Sequence, residues 1–324
     1  MTAVNNFLKM LWRLPWLPAR LKKAIYKKLS SSGAEPAFPF VKDFFGLRYE
    51  GNLNNSIEFS IYHYGAFEKP LLYFLGDTLG NIRRLLQKDN RRQNCFCDIG
   101  ANIGQHSLFM SRIADQVHAF EPFDKVSTRL QHHIGLNQIG NIALHKIGLS
   151  DVSERLQFYA PTGRNQGIGS FDASTVEKGN QAAGELSLVC GDEYFERHPI
   201  PGVDLVKIDV EGFERRVLAG LRQTLMRWRP IIVCEINYGK DLSFGSLEAF
   251  RAALPENYAL FAFDNRKTDG SKARRKGAQA RKTGRYQLIP YTRWLESGQD
   301  DIIACPAEKQ DVLPMQGTGR TPAA

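Results

Sequence analysis

From Asn94 onward one pattern repeats: a short apolar run, a turn marked by glycine or proline, then a stretch with helical spacing of apolar residues. The apolar runs fall at 94–99, 116–120, 141–147, 203–208, 230–235 and 257–263; the helical stretches lie near 104–114, 123–137, 213–226 and 245–253. Strands joined by helical crossovers pair in parallel and need helices on both faces. The pattern therefore predicts an α/β fold, a doubly wound and mostly parallel sheet, with an N-terminal extension. Residues 154–190 are too long for a simple crossover and predict a hairpin, and Asp301–Cys305 predicts a last strand.

Ligands of such sheets sit at the carboxyl edge, where strands run into turns. Five strand ends there carry acids. Cys97-Asp98-Ile99-Gly100-Ala101-Asn102-Ile103-Gly104 ends the first strand in Asp98 and a glycine turn. Glycines let a ligand approach the backbone, and the helix start offers free N–H groups. The spacing is not G-x-G-x-x-G, and an acid at the strand end favours a cationic, amino-acid-bearing ligand over a pyrophosphate. His118-Ala-Phe-Glu121-Pro122 places Glu121 where a carboxylate accepts both hydroxyls of a ribose. Gly148-Leu-Ser-Asp151 offers a carboxylate for an adenine amino group, although Ser-Asp is also ordinary turn chemistry. The fourth and densest run is Lys207-Ile-Asp209-Val-Glu211-Gly-Phe-Glu214, and Pro230-Ile-Ile-Val-Cys-Glu235 ends the next strand in another acid. Phe213, Val217, Leu221 and Leu225 mark a buried helical stripe. Glu211 and Glu214 then fall at a helix N-terminus, which the macrodipole favours and which is itself a sufficient reason for them. Asp209 has no such reason.

Taken together and in this order, these motifs resemble the FkbM methyltransferase family over residues 94–236, and more weakly at 301–306. The resemblance implies a Rossmann-like, class I methyltransferase sheet, S-adenosylmethionine as cofactor, and O-methylation of a hydroxyl on a sugar, glycan or secondary metabolite. It assigns cofactor binding to Asp98, Gly100, Asn102, Gly104, Glu121 and Asp151. Asp209 is the candidate nearest the methyl group, with Glu235 and Glu211 as further candidates for base or acceptor contacts. No metal is assigned; a Mg²⁺ held by these carboxylates is the lesser alternative. Two rival readings are a non-catalytic cofactor-binding partner of a glycan-assembly system and a nicotinamide oxidoreductase. The absent G-x-G-x-x-G and the charge of Asp98 count against the latter.

Charge separates the domain from its appendages. The net charge is +9, yet residues 1–34 hold seven Lys and Arg and no acid, and residues 265–285 hold nine against Asp269 alone. The rest is slightly acidic, which argues against nucleic acid as a partner. The N-terminal run resembles a secretory signal, but Lys9, Arg13, Pro15 and Pro18 interrupt it and no small-residue cleavage pattern follows. Residues 7–29 are read as a basic amphipathic segment that packs on the protein. The sharper alternative is peripheral contact with an anionic membrane, with Trp12, Trp16 and Leu17 at headgroup level. The expected divisions are a basic segment and linker at 1–37, a strand and helix extension at 38–90, the methyltransferase domain at 91–306 and a disordered tail at 307–324. Residues 40–65 are expected to form a hairpin, and 265–285 a mobile loop. No stretch is apolar enough to cross a membrane. Five cysteines without zinc-ligand spacing read as thiols of a reducing compartment, and the expected location is cytoplasmic, with attachment at the inner membrane face as the alternative.

Overall fold

The computed structural model describes residues 2–31, 38–88, 93–161, 169–198, 200, 202–239 and 242–320. The chain divides into two compact units, residues 1–67 and 68–324.

The smaller unit holds helices α1 (Thr2–Arg13) and α2 (Ala19–Ser31), strands β1 (Pro39–Phe44) and β2 (Leu47–Asn52), and helix α3 (Ser56–Tyr64). The two strands form an antiparallel hairpin. The expected hairpin thus ends at Asn52, and the alternating run after it is helical. Asn55 explains the change: its Oδ1 accepts from the N–H groups of Ile57 and Glu58 at 2.8 and 3.3 Å, capping α3 before its period-2 pattern can act as a strand. Aromatic packing fills this unit. Trp12 sits 4.8 Å from Phe38 and 5.7 Å from Tyr62, ring centre to ring centre, and Tyr26 packs on Phe38 and Phe59. Most of the expected linker, residues 32–37, lies outside the described residues.

The larger unit begins with α4 (Lys69–Lys88), which the sequence reading had placed in the extension. Then come β3 (Cys95–Ile99), α5 (Gln105–Met110), β4 (Gln116–Phe120), α6 (Asp124–Leu136), β5 (Ile142–His145), β6 (Gly148–Ser150), β7 (Glu154–Pro161), β8 (Asn180–Cys190), α7 (Gly191–Arg197) and β9 (Leu205–Ile208). The chain continues through α8 (Glu214–Gly220), α9 (Arg222–Trp228), β10 (Ile231–Tyr238), α10 (Leu247–Ala253), β11 (Tyr258–Phe263), α11 (Arg274–Thr283), β12 (Tyr286–Pro290), β13 (Gly298–Pro306) and β14 (Gln316–Gly317). The main sheet runs β14-β12-β11-β13-β10-β9-β3-β4-β5. Its centre, from β10 to β5, is parallel; β13 is antiparallel to both β10 and β11. The expected hairpin within 154–190 is β7 and β8, joined by β6 into a small second sheet.

Helices α4, α5 and α6 pack on one face and α7 to α10 on the other, as continuous apolar strands buried on both faces require. Cys95, Cys97 and Ile99 point into one core with Val206, Ile208, Val217 and Leu221. The expected stripe of Phe213, Val217, Leu221 and Leu225 is buried, though the helix breaks at Leu221 into α8 and α9. All five thiols are free; Cys190 alone is not fully buried.

Regular secondary structure extends into the basic run and the tail. Residues 265–285 contain an ordered turn and α11. The tail folds into a single-turn helix at Ala307–Val312 and then β14, with Val312 and Leu313 buried and Asn81 Nδ2 donating to Val312 O at 2.8 Å; residues 321–324 lie outside the described ones.

Candidate active site

Crossovers leave β3 toward β4 on one side and β9 toward β10 on the other, so a crevice opens between the carboxyl ends of β3 and β9. The chain brings its acids there. Asp98, next to last in β3, is fully buried; Ser107 Oγ donates to its Oδ2 at 2.7 Å, and Lys207 Nζ lies 3.7 Å from its Oδ1. Lys207 also donates to Asp209 Oδ2 at 3.1 Å. Burial opposes the charge of Lys207, but Asp209, Asp98 and Glu68 more than offset it and hold the ammonium protonated. Burial in turn lifts the Asp98 carboxyl, against the pull of Lys207 and Ser107.

The loops touch at Gly100. Its φ is +82°, and a Cβ there would stand 1.8 Å from Asp209 O, so only glycine lets the two strand ends meet. Asn102 follows at φ +53°, with its Oδ1 accepting from Ile103 N–H at 2.8 Å, and Gly104 opens α5. Glu121, at the end of β4, is buried. Its Oε2 accepts from Asn102 N–H at 2.8 Å and its Oε1 from Phe123 N–H at 2.9 Å. Burial pushes it up to about 7 despite those two donors. A carboxylate has about four acceptor positions, so this one is fixed against the glycine turn with capacity left for a ligand's hydroxyls.

Glu235, on β10, faces Asp301 across the β10–β13 pair. Gln299 Nε2 donates to its Oε2 at 2.9 Å. Burial, then Asp209, Asp301, Glu68 and Glu211, push Glu235 up to about 11, so it is a neutral acid at pH 7. Carboxylate oxygens of Asp209, Glu211 and Glu235 lie within 4.8 Å of one another, a spacing that an oxygen-ligated divalent cation also accepts. Glu211 stands at φ +53° before the helix. Glu214 is turned inward, fully buried, and its Oε1 accepts from Gly212 N–H at 2.7 Å, bracing the turn that presents Asp209 and Glu211. Asp151 stands apart from this group. Its Oδ1 accepts from Arg216 Nε and from Ser150 Oγ at 3.1 Å; burial lifts this carboxyl, but the guanidinium and hydroxyl hold it below the usual range.

Sequence reasoning missed Glu68, His106 and Asp301. Burial lifts Glu68 well above the usual range, with Asp301 and Asp209 adding to the effect, and its Oε2 lies 3.8 Å from Nε2 of the buried His106. Glu68 and His106 belong to no local motif, and only the fold brings them to the crevice. Asp301 carried a signal, since it opens the apolar run of the last strand.

A five-stranded parallel core, one reversed strand beside it, and a glycine turn with acids at successive strand ends define a class I methyltransferase fold. Residues 98–259 match the methyltransferase FkbM domain, and the chain belongs to that family, whose cofactor is S-adenosylmethionine. Hexuronic acid methyltransferase AglP from Haloferax volcanii is 32% identical over 162 residues, 50% of this chain and 63% of that protein. Methyltransferase 1 from Beauveria bassiana is 30% identical over 141 residues, 38% of this chain and 57% of that protein. The matches thus span about three-fifths of the length of these relatives. The crystal structure of methyltransferase FkbM from Methylobacillus flagellatus KT is similar at 15% identity and a TM-score of 0.38, over 65% of this chain and 43% of that one. The residues present fit the cofactor: a glycine turn closed on Asp209 O, a buried acid at its base, and an anchored Glu121 beside it.

Proposed function

We propose that this protein transfers a methyl group from S-adenosylmethionine to a hydroxyl of a sugar or glycan. The observation that carries the reading is the array of Asp98, Lys207 and Asp209 across the central switch point, with Glu121 on the neighbouring strand. The cofactor supplies an already electrophilic methyl. What remains for the chain is to hold an acceptor oxygen in line, exclude water and take up a proton. In this reading Asp98, Gly100, Asn102, Gly104 and Glu121 bind the cofactor. Asp209, partly exposed and oriented by Lys207, receives the acceptor's proton. Glu235, being neutral, donates a hydrogen bond to the acceptor rather than acting as base, and Glu211 contacts it from the crevice rim. Asp151 serves adenine only by sharing its carboxylate with Arg216. The glycan class is supported by AglP, whose substrate is a hexuronic acid.

The test is Asp209→Asn with labelled cofactor and a panel of sugars and uronic acids. Turnover should fall by about 10²-fold or more while S-adenosylhomocysteine still binds. Near-normal turnover would show Asp209 to be structural.

We further propose peripheral membrane contact through residues 7–29, on narrower grounds than the sequence suggested. Trp12 is 6% exposed and is not free to insert, whereas Phe7, Met10, Trp16 and Leu21 are exposed among cations. Among the described residues no helix is long and apolar enough to cross a membrane.

A further inference from the structure

The connection between β11 and β12 carries most of the second basic run and supplies none of the crevice residues named above. It is braced rather than slack. Arg266 Nε donates to both Asp300 oxygens at 2.7 and 2.9 Å, and its other nitrogens donate to Gly270 O and Gln299 O at 2.8 and 3.1 Å. Lys267 N–H donates to Ser271 O at 2.9 Å, and Ala273 N–H to Asn265 O at 2.8 Å, which closes a small hairpin with Gly270 at φ +87°. Helix α11 then starts at Arg274 with no side-chain cap.

This segment borders an open cavity of about 940 Å³, lined by Arg266, Lys267, Lys272, Arg274, Arg275 and Lys276. Asp264 is the only carboxylate in its lining, and Lys276 holds it at 2.8 Å. Arg266 is likewise taken by Asp300. Among the described residues, Lys267, Lys272, Arg274 and Arg275 have no carboxylate within salt-bridge distance, although Asp269 lies near Lys267 and the crevice acids near Lys272. Four like charges around one concavity repel one another, and an anion relieves them. A lone carboxylate would leave most of that charge uncompensated, whereas a pyrophosphate diester brings two charges and oxygens suited to the forked guanidinium donors. Gln299 joins this segment to the crevice: its backbone O accepts from Arg266 at 3.1 Å and its Nε2 donates to Glu235 Oε2 at 2.9 Å, which sets the cavity beside the crevice acids, and Lys272 offsets part of the repulsion between Asp301 and Glu68.

We propose that this cavity binds the pyrophosphate through which the acceptor sugar is joined to its carrier, and so holds the sugar's hydroxyl toward Asp209. The proposal rests on the methyltransferase reading above, and its test is independent of turnover. Inorganic pyrophosphate is titrated calorimetrically into the full chain at fixed ionic strength, and S-adenosylhomocysteine is titrated in parallel. Pyrophosphate should bind the native protein. Affinity should fall at least about tenfold in Lys272→Ala and in the double variant Arg274→Ala/Arg275→Ala. It should be unchanged in Lys27→Ala/Lys28→Ala, which removes as much charge from α2, and S-adenosylhomocysteine should bind all of them alike. Competition separates the carriers: displacement by UDP-glucose assigns a nucleotide, displacement by farnesyl pyrophosphate a lipid. No pyrophosphate binding, equal weakening in the α2 control, or displacement by neither competitor overturns the proposal. Failure of S-adenosylhomocysteine to bind the native protein would instead overturn the methyltransferase reading.

Discussion

Two glutamates show how burial assigns roles that a motif leaves open. Glu235 is neutral at physiological pH because burial, and after it the charge of four neighbouring acids, opposes its ionisation, so Glu235→Gln replaces one neutral hydrogen-bonding group with another. Turnover should change by less than about threefold, in contrast with Asp209→Asn, and a loss as large as that of Asp209→Asn would mean that the charged form acts. Glu214 ends the Lys-Ile-Asp-Val-Glu-Gly-Phe-Glu run but holds a backbone turn. Burial lifts it from 4.5 to about 7, so the native state retains a proton that the unfolded chain releases. Its contribution is full below pH 4.5 and is lost as pH rises through 7. Glu214→Gln keeps an oxygen for Gly212 N–H. The variant should be more stable by about 1–3 kcal/mol at pH 8 and less sensitive to pH between 5 and 8. Thermal melts across that range check this, and an unchanged slope would contradict it.

Elements whose signal is local were legible before the structure. β3, β9 and β10 are largely apolar runs buried on both faces, β4 is half-buried, and their ends carry the acids that define the crevice. Asp98, Glu121, Asp209 and Glu235 could therefore be placed at its edge from spacing alone. The run 56–64 could not, because nine residues with mixed periodicity suit strand or helix and the cap at Asn55 decides. α11 was missed for another reason: with no buried residue it shows no stripe of large apolar side chains, and the Arg266–Asp300 pair that braces its approach joins residues distant in sequence. The membrane reading belongs at this scale too. The full chain should co-sediment with anionic vesicles at low salt and lose that binding as salt rises, each cation contributing about 1 kcal/mol. A chain beginning near Glu35 should not bind. Equal behaviour of the two on such vesicles would remove α1 and α2 from any membrane role.

At the scale of the whole molecule, the parallel core sets cofactor acids at its carboxyl edge and the antiparallel strands beyond β10 add Asp301 and a basic cavity. Every part of the account depends on the crevice taking S-adenosylmethionine. Calorimetric titration of S-adenosylhomocysteine and of NAD into native protein and Glu121→Ala tests this most directly. S-adenosylhomocysteine should bind the native protein and lose about 1–3 kcal/mol of affinity in Glu121→Ala, as expected for charge-assisted hydrogen bonds to a ribose, and NAD should bind neither. Binding of NAD in place of S-adenosylhomocysteine, or an affinity untouched by Glu121→Ala, would contradict the account.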